Sequence, residues 1–345
     1  MPFWIQLTVP LLAFLLSAFI GNILIPQLKK LGMRQTINKY IASIDGKKDG
    51  TPMMGGFMFI IAAIIALAVG MILFITFGGT YNFRPDNNAL YKLIAGLVFA
   101  LLNSSLGFAD DYVKAVQKKN DGIKMRQKLI PQFIFAAAFV YALYLLGDKS
   151  TAVWLPIFGE LELSWFYYPL MVCFAVYLTN AVNLTDGVDG LCGSMTVVSG
   201  VALAMLSTSM KNPEYTLFSL AVAGGCLGFL VHNIHPAKVF MGDTGSMFLG
   251  GFITAAGFAL HAHFLLIIIA LVYIIDALTV LIQRLYYRAT RDPKTGKGKR
   301  IFPKTPIHHG FQEMGFSDNK VTILFAGCTL LCGAAANLIA YLPLP

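Results

Sequence analysis

Residues 168–205 read YPLMVCFAVYLTNAVNLTDGVDGLCGSMTVVSGVALAM. Two apolar runs, Tyr168–Leu178 and Met195–Met205, enclose a polar stretch, Asn180–Leu191, with two asparagines, two aspartates and two Asp-Gly turns. The runs show no period-2 alternation, so they are not strands of a membrane barrel. They read as helices, which satisfy their own backbone hydrogen bonds in hydrocarbon. A polar turn between two such helices is either a solvated loop or one wall of a site. The rest of the chain decides which.

The whole sequence repeats this pattern. Its 345 residues are 57% hydrophobic and only 12% charged, about half the charged share of soluble domains, and its mean hydropathy is +0.69. It therefore reads as a single integral membrane domain, 1–345, all-α and polytopic. Ten transmembrane spans are expected: 3–25, 57–77, 89–108, 129–146, 166–182, 191–209, 215–232, 245–260, 264–285 and 321–342. The N-terminus, MPFWIQLTVPLLAFLLSAFIGNILIP, lacks the basic n-region of a signal peptide, and its apolar run reads as a retained first helix. The segment Gly147–Trp165 alternates in short pieces around Phe158-Gly159 and predicts a short external β-hairpin near 150–165. Five cysteines lie in or beside apolar runs without a CxxC pair and read as small core residues.

Charge orients the bundle. With the N-terminus outside, 22 of the 26 lysines and arginines fall on inside segments; Arg84, Lys92, Lys149 and Lys211 are the rest. By the positive-inside rule both termini are extracytoplasmic and five loops face the cytoplasm.

Four polar groupings all fall on that cytoplasmic side. They are Asp110, Asp111 and Lys114 in FADDYVK; Asn183, Asp186 and Asp189 in NLTDGVDG; His232, Asn233, His235, Lys238 and Asp243 in HNIHPAKVFMGDTGS; and His308-His309 in PKTPIHHGF. Each has a bland reading as helix end, turn or solvated pair. Adjacent carboxylates at a helix C-terminus oppose the macrodipole, however, and need compensation from a base or a cation. Ionisable groups at membrane level are functional candidates, and four on one side make a common site the stronger reading. Carboxylates without Cys/His ligand spacing suit an oxygen-ligated Mg²⁺. Beside many bases, they suit an anionic, phosphate-bearing substrate and metal-assisted phosphoryl transfer. No Walker loop is present. A transporter of anions is a competing class, but transporter sites lie near the bilayer midplane rather than at span ends.

The motifs FADDYVK, NAVNLTDGVDGL, KVFMGDTGS and PIHHGFQEMG, with KKDGTPMMGG upstream, together resemble the phospho-N-acetylmuramoyl-pentapeptide transferases, of the polyprenyl-phosphate N-acetylhexosamine-1-phosphate transferase superfamily. The resemblance runs over essentially the whole chain. It implies transfer of phospho-MurNAc-pentapeptide from UDP-MurNAc-pentapeptide to undecaprenyl phosphate, giving lipid I and UMP, with Mg²⁺. It also implies a homodimer in the bacterial inner membrane with a cytoplasmic active site, and no nucleic-acid partner. A UDP-N-acetylglucosamine-1-phosphate transferase is the alternative, disfavoured by the PIHH element. Carried over, Asp243 becomes the metal ligand, and Asp110, Asp111 and Asp243 the catalytic carboxylates, either Asp110 or Asp111 taking a proton from the lipid phosphate. Lys114 lies near the phosphates, with Lys48 also on the substrate. Asn183, Leu184, Asp186, Gly187 and Asp189 match the uridine-holding region, with Phe240 an aromatic face for the uracil, and Asn233, His308 and His309 line the cleft. Two departures stand out: Gly310 where the family's third histidine usually lies, and Met53 where a threonine is common.

Overall fold

The computed structural model describes residues 1–33, 50–77, 88–117, 122–156 and 158–341; Lys48 lies outside them. The chain runs α1 (Phe3–Lys30), α2 (Gly56–Phe77), α3 (Ala89–Gln117), α4 (Met125–Leu145), β1 (Ala152–Leu155), β2 (Gly159–Glu162), α5 (Tyr167–Thr185), α6 (Leu191–Ser209) and α7 (Pro213–Asn233). It continues with α8 (Gly242–Ala259), α9 (His263–Ile269), α10 (Leu271–Ala289), α11 (Ile307–Glu313) and α12 (Asp318–Ala340). Helices α1–α7 and α12 are long and apolar enough to cross a membrane, and the chain is a multi-pass membrane protein. The expected hairpin forms, antiparallel, with Ala152 opposite Glu162 and Leu155 opposite Gly159. His261 tethers it by a 2.8 Å hydrogen bond from Nε2 to the Ala152 carbonyl.

Burial sorts the helices. α1, α4 and α12 present most of their apolar surface outward, whereas α7 is largely enclosed. α8 is the central rod: every residue from Thr244 to Ala259 is buried. Its sequence, GDTGSMFLGGFITAAGFA, explains this. Small residues let neighbouring backbones approach, as association in lipid requires, and the phenylalanines fill what remains. Phe252 meets Phe218 of α7 edge-on, centroids 4.9 Å apart.

The expected span 264–285 is two helices, not one. α9 and α10 meet at Ala270 with a bend of 76°. Neither proline nor glycine marks the break, so it was not visible in the residues around it. Beyond it, the Tyr177 hydroxyl of α5 donates to the Ile274 carbonyl in the first turn of α10 (2.9 Å) and ties that helix to α5.

The most extensive helix pair joins α3 to α8. Glycines set its closeness. A Cβ on Gly107 would lie 2.1 Å from the Asp243 carbonyl oxygen, and one on Gly251 2.8 Å from the Ala100 Cα. Both obstacles are backbone, which cannot yield without moving a helix. Gly107→Ala is therefore expected to lower the thermal midpoint of the detergent-solubilised protein, at a cost of about 1–3 kcal/mol. Gly327→Ala on α12, where an added Cβ meets nothing within 4 Å, is expected to be neutral or to stabilise by up to about 1 kcal/mol. Equal melting of the two variants would contradict this packing.

Candidate active site

Asp110 and Asp111 are neighbours in sequence with separate tasks. Asp111, fully buried, reaches the start of α8, whose first N–H groups have no partner within their own helix. Its Oδ1 accepts from the Asp243 N–H (3.0 Å), and its Oδ2 from the Thr244 N–H (2.9 Å) and hydroxyl (2.7 Å). It thus caps α8 through a residue 132 positions later in the chain and lays negative charge on that helix's positive end. The Ser104 hydroxyl, about two turns earlier, donates to the Thr244 carbonyl (2.9 Å). Asp110 faces elsewhere. Its Oδ2 lies 2.6 Å from Lys114 Nζ, and its Oδ1 accepts from the Ile123 N–H (2.8 Å). The compensation that two carboxylates at a helix C-terminus require comes from α8 for one and from Lys114 for the other.

Asp243, fixed by that cap, stands at the centre. Its Oδ2 lies 3.2 Å from Lys114 Nζ and 2.8 Å from Lys128 Nζ, and its Oδ1 accepts from Asn183 Nδ2 (3.0 Å). Lys114 therefore bridges Asp110 and Asp243. Asn183 also donates to Ser246 (2.8 Å), so the end of α5 braces the first turn of α8. Negative charge is in excess around Asp243. Desolvation, reinforced by the charges of Asp243, Asp111 and Asp189, pushes the Asp186 carboxyl well above the usual carboxylate range. Asp243 and Asp110 offer oxygen donors at the mouth of the bundle, and a hard divalent cation there would relieve the excess. The donor set suits a hard, oxygen-ligated divalent cation whose other positions go to water and phosphates.

The opening stretch folds over this centre. Asn233 is buried and acts as a pin: its Oδ1 accepts from the Gly190 N–H (3.0 Å) and its Nδ2 donates to the Val239 carbonyl (2.8 Å). Asp189 Oδ2 accepts from the Ala237 N–H (3.1 Å) and sits 2.9 Å from His235 Nδ1; that imidazole also lies 3.4 Å from Asp318. The Asp189–His235–Asp318 group has metal-ligand proximity, but the imidazole already joins its two carboxylates. Leu184 is exposed. Phe240 is half-buried, held by backbone bonds from its N–H to the Pro52 carbonyl (2.9 Å) and from the Gly55 N–H to its own carbonyl (2.8 Å).

The histidines complete the ring. His308 and His309 start α11, and an added Cβ on Gly187 would lie 2.4 Å from His308 Nε2 and 3.1 Å from His309 Nε2. All four polar groupings thus converge. Residues absent from the expected set also enter: Lys128 on Asp243; Asp276 on His308; Gln312, which bridges His309 Nδ1 and Asp318 at 2.7 Å each. A signal existed for Asp276, an acid inside the apolar run VYIIDALTV. Lys128 was one base among many.

The cap carries a direct expectation. Asp111→Ala leaves three donors without their acceptor and should depress the melting temperature markedly, each lost bond costing about 1–3 kcal/mol. Asp111→Asn keeps one acceptor oxygen and should fall between it and wild type. A melt unchanged in Asp111→Ala would remove the capping role.

Comparison with known proteins places this geometry. Residues 93–263 match the Glycosyl transferase family 4, the segment that carries Asp110, Asp111, Asp189 and Asp243. Over 93% of its length the chain is 38% identical to the phospho-N-acetylmuramoyl-pentapeptide-transferase of Caldicellulosiruptor bescii, covering 93% of that protein. It is 38% identical, with the same two coverages, to that of Bacillus subtilis. The Carboxydothermus hydrogenoformans protein of that name is 38% identical over 92% of this chain and 95% of its own. With a cluster of carboxylates, lysines and histidines at the ends of its helices, and such identity across nearly its whole length, the chain belongs to the phospho-N-acetylmuramoyl-pentapeptide-transferase family.

Proposed function

We propose that this protein transfers phospho-MurNAc-pentapeptide from UDP-MurNAc-pentapeptide to undecaprenyl phosphate, releasing UMP and forming lipid I in peptidoglycan synthesis. The observation that carries the mechanism is the convergence of Asp110 and Asp243 on Lys114, at 2.6 and 3.2 Å. That arrangement offers a proton acceptor and an anion-binding ammonium side by side. We read the bundle as ten spans, counting α8 and the bent α9–α10 pair, with both termini extracytoplasmic and the cleft facing the cytoplasm of a bacterial inner membrane. A homodimer is part of the same reading.

Of the two adjacent aspartates, Asp110 is the base. The acceptor capacity of Asp111 is engaged by α8, whereas Asp110 borders Lys114 and the cleft. Asp110 takes the proton of the lipid phosphate, whose freed oxygen attacks the β-phosphorus of the donor. The bond from that phosphorus to the bridging oxygen breaks, and UMP departs with the electron pair. Lys114 and Lys128 hold the diphosphate in line and offset its charge. Asp243, with Asp110 beside it, is the residue to hold Mg²⁺, which when bound neutralises charge on the diphosphate. Phe240 and the 183–189 loop hold the nucleoside.

Purified protein supplied with undecaprenyl phosphate, Mg²⁺ and UDP-MurNAc-pentapeptide is expected to release UMP and form a lipid-linked product. Release from UDP-N-acetylglucosamine instead would replace this donor. Asp110→Asn should lower kcat by about 10²-fold or more with UMP binding retained; near-normal turnover would remove Asp110 as base. Rapid mixing with donor and no lipid acceptor should give no burst of UMP. A stoichiometric burst would establish a two-step route through a phosphorylated aspartate.

A further inference from the structure

The His308 imidazole is wholly buried, and its two nitrogens have unlike surroundings. Nδ1 lies 2.8 Å from Oδ2 of Asp276, itself fully buried on α10. The other carboxylate oxygen accepts from the His308 backbone N–H (3.3 Å). Asp276 is thus a two-point clamp on the first turn of α11. A carboxylate can only accept, so Nδ1 carries a proton. Nε2 is buried and has no hydrogen-bond partner among the described residues. It faces Gly187, and the hydrogen that glycine carries in place of a Cβ points at it. A lone pair at Nε2 meets that C–H bond favourably, as a weak hydrogen bond. An N–H at Nε2 would press one positive hydrogen against another and push the loop away. Next to it, His309 is set differently: Gln312 donates through Nε2 to Asp318, so its Oε1 is the acceptor for His309 Nδ1.

We propose that Asp276 is a positioning residue: by fixing His308 in the Nδ1–H form it seats the Asp186–Asp189 loop, and so sets affinity for the nucleotide donor. This rests on the reading that the loop holds the uridine. Asn in place of Asp276 reverses the arrangement. Its oxygen is retained by the His308 backbone N–H, which turns its NH₂ toward Nδ1 and forces the proton to Nε2. The same logic governs catalytic triads in which an Asn replaces the acid.

The test uses full-length protein labelled with ¹⁵N-histidine in lipid nanodiscs, the His308 signals being assigned by their loss in His308→Gln. Wild type is expected to show protonated Nδ1 and unprotonated Nε2, and Asp276→Asn the opposite. In Asp276→Asn, the Kd for UMP and the KM for UDP-MurNAc-pentapeptide should rise about 10- to 100-fold, the scale on which outer partners of an imidazole act. The KM for undecaprenyl phosphate should stay unchanged, and Asp276→Glu should recover part of the loss. A protonated Nε2 in wild type overturns the proposal even if Asp276→Asn does not fold. So does unchanged UMP affinity, or an equal loss for both substrates. If wild type neither binds UMP nor uses the donor, the proposed function fails while the wild-type ¹⁵N pattern still decides what Asp276 does to His308.

Discussion

A helix that starts inside a protein leaves its first backbone N–H groups without partners, and α8 starts among carboxylates at the mouth of the bundle. Asp111 resolves this from a different helix. Three hydrogen bonds to Asp243 and Thr244 place an anion on the positive end of α8. The bare Cα of Gly107 lets α3 come close enough to deliver it. The arrangement of the site depends on this contact, because the residue after Gly242 is Asp243. Fixing the start of α8 against α3 fixes Asp243 next to Asp110 and Lys114.

From there the remaining loops are hung on the same frame. Asn183 braces α8 from the end of α5, and Asn233 ties Gly190 to Val239. Thr322 of α12 donates to the Asp189 carbonyl (3.0 Å), and Asp276 holds His308 over Gly187. Several polar residues of the site thus hold one another. In a membrane interior such mutual satisfaction is the condition for tolerating polar groups at all. It leaves Asp110, Lys114, Lys128 and the Asp243 carboxylate, which pair mainly with one another, as the groups with least structural duty. In the proposed reaction those are the groups that meet the phosphates.

Much of this was legible in the sequence, because hydropathy and charge act on whole segments. The apolar runs marked the helices long enough to cross a membrane, alternation around Phe158-Gly159 marked the hairpin, and FADDYVK, NLTDGVDG, FMGDTGS and PIHHGF, picked out by their polar residues, lie together in the fold. What was not legible depended on single contacts between distant residues. No local pattern in HFLLIIIALVYIID, neither proline nor glycine, marks the break at Ala270, nor the bond to a tyrosine ninety-seven residues earlier. Asp110 and Asp111 looked alike because a linear motif does not say that one faces a helix end and the other a lysine. The bonds of Asn233 to loop backbone, and of Asn183 to Asp243 and Ser246, likewise join residues far apart in the chain. Lys128 gained its place only through the path of α4.

The central claim is that Asp111 holds the start of α8, and hydrogen–deuterium exchange over Phe240–Ser246 in wild type and Asp111→Ala tests it most directly. The account predicts slow exchange at the Asp243 and Thr244 amides in wild type. In the variant these two should exchange fast while the body of α8 stays protected. Equal protection in both proteins would contradict it.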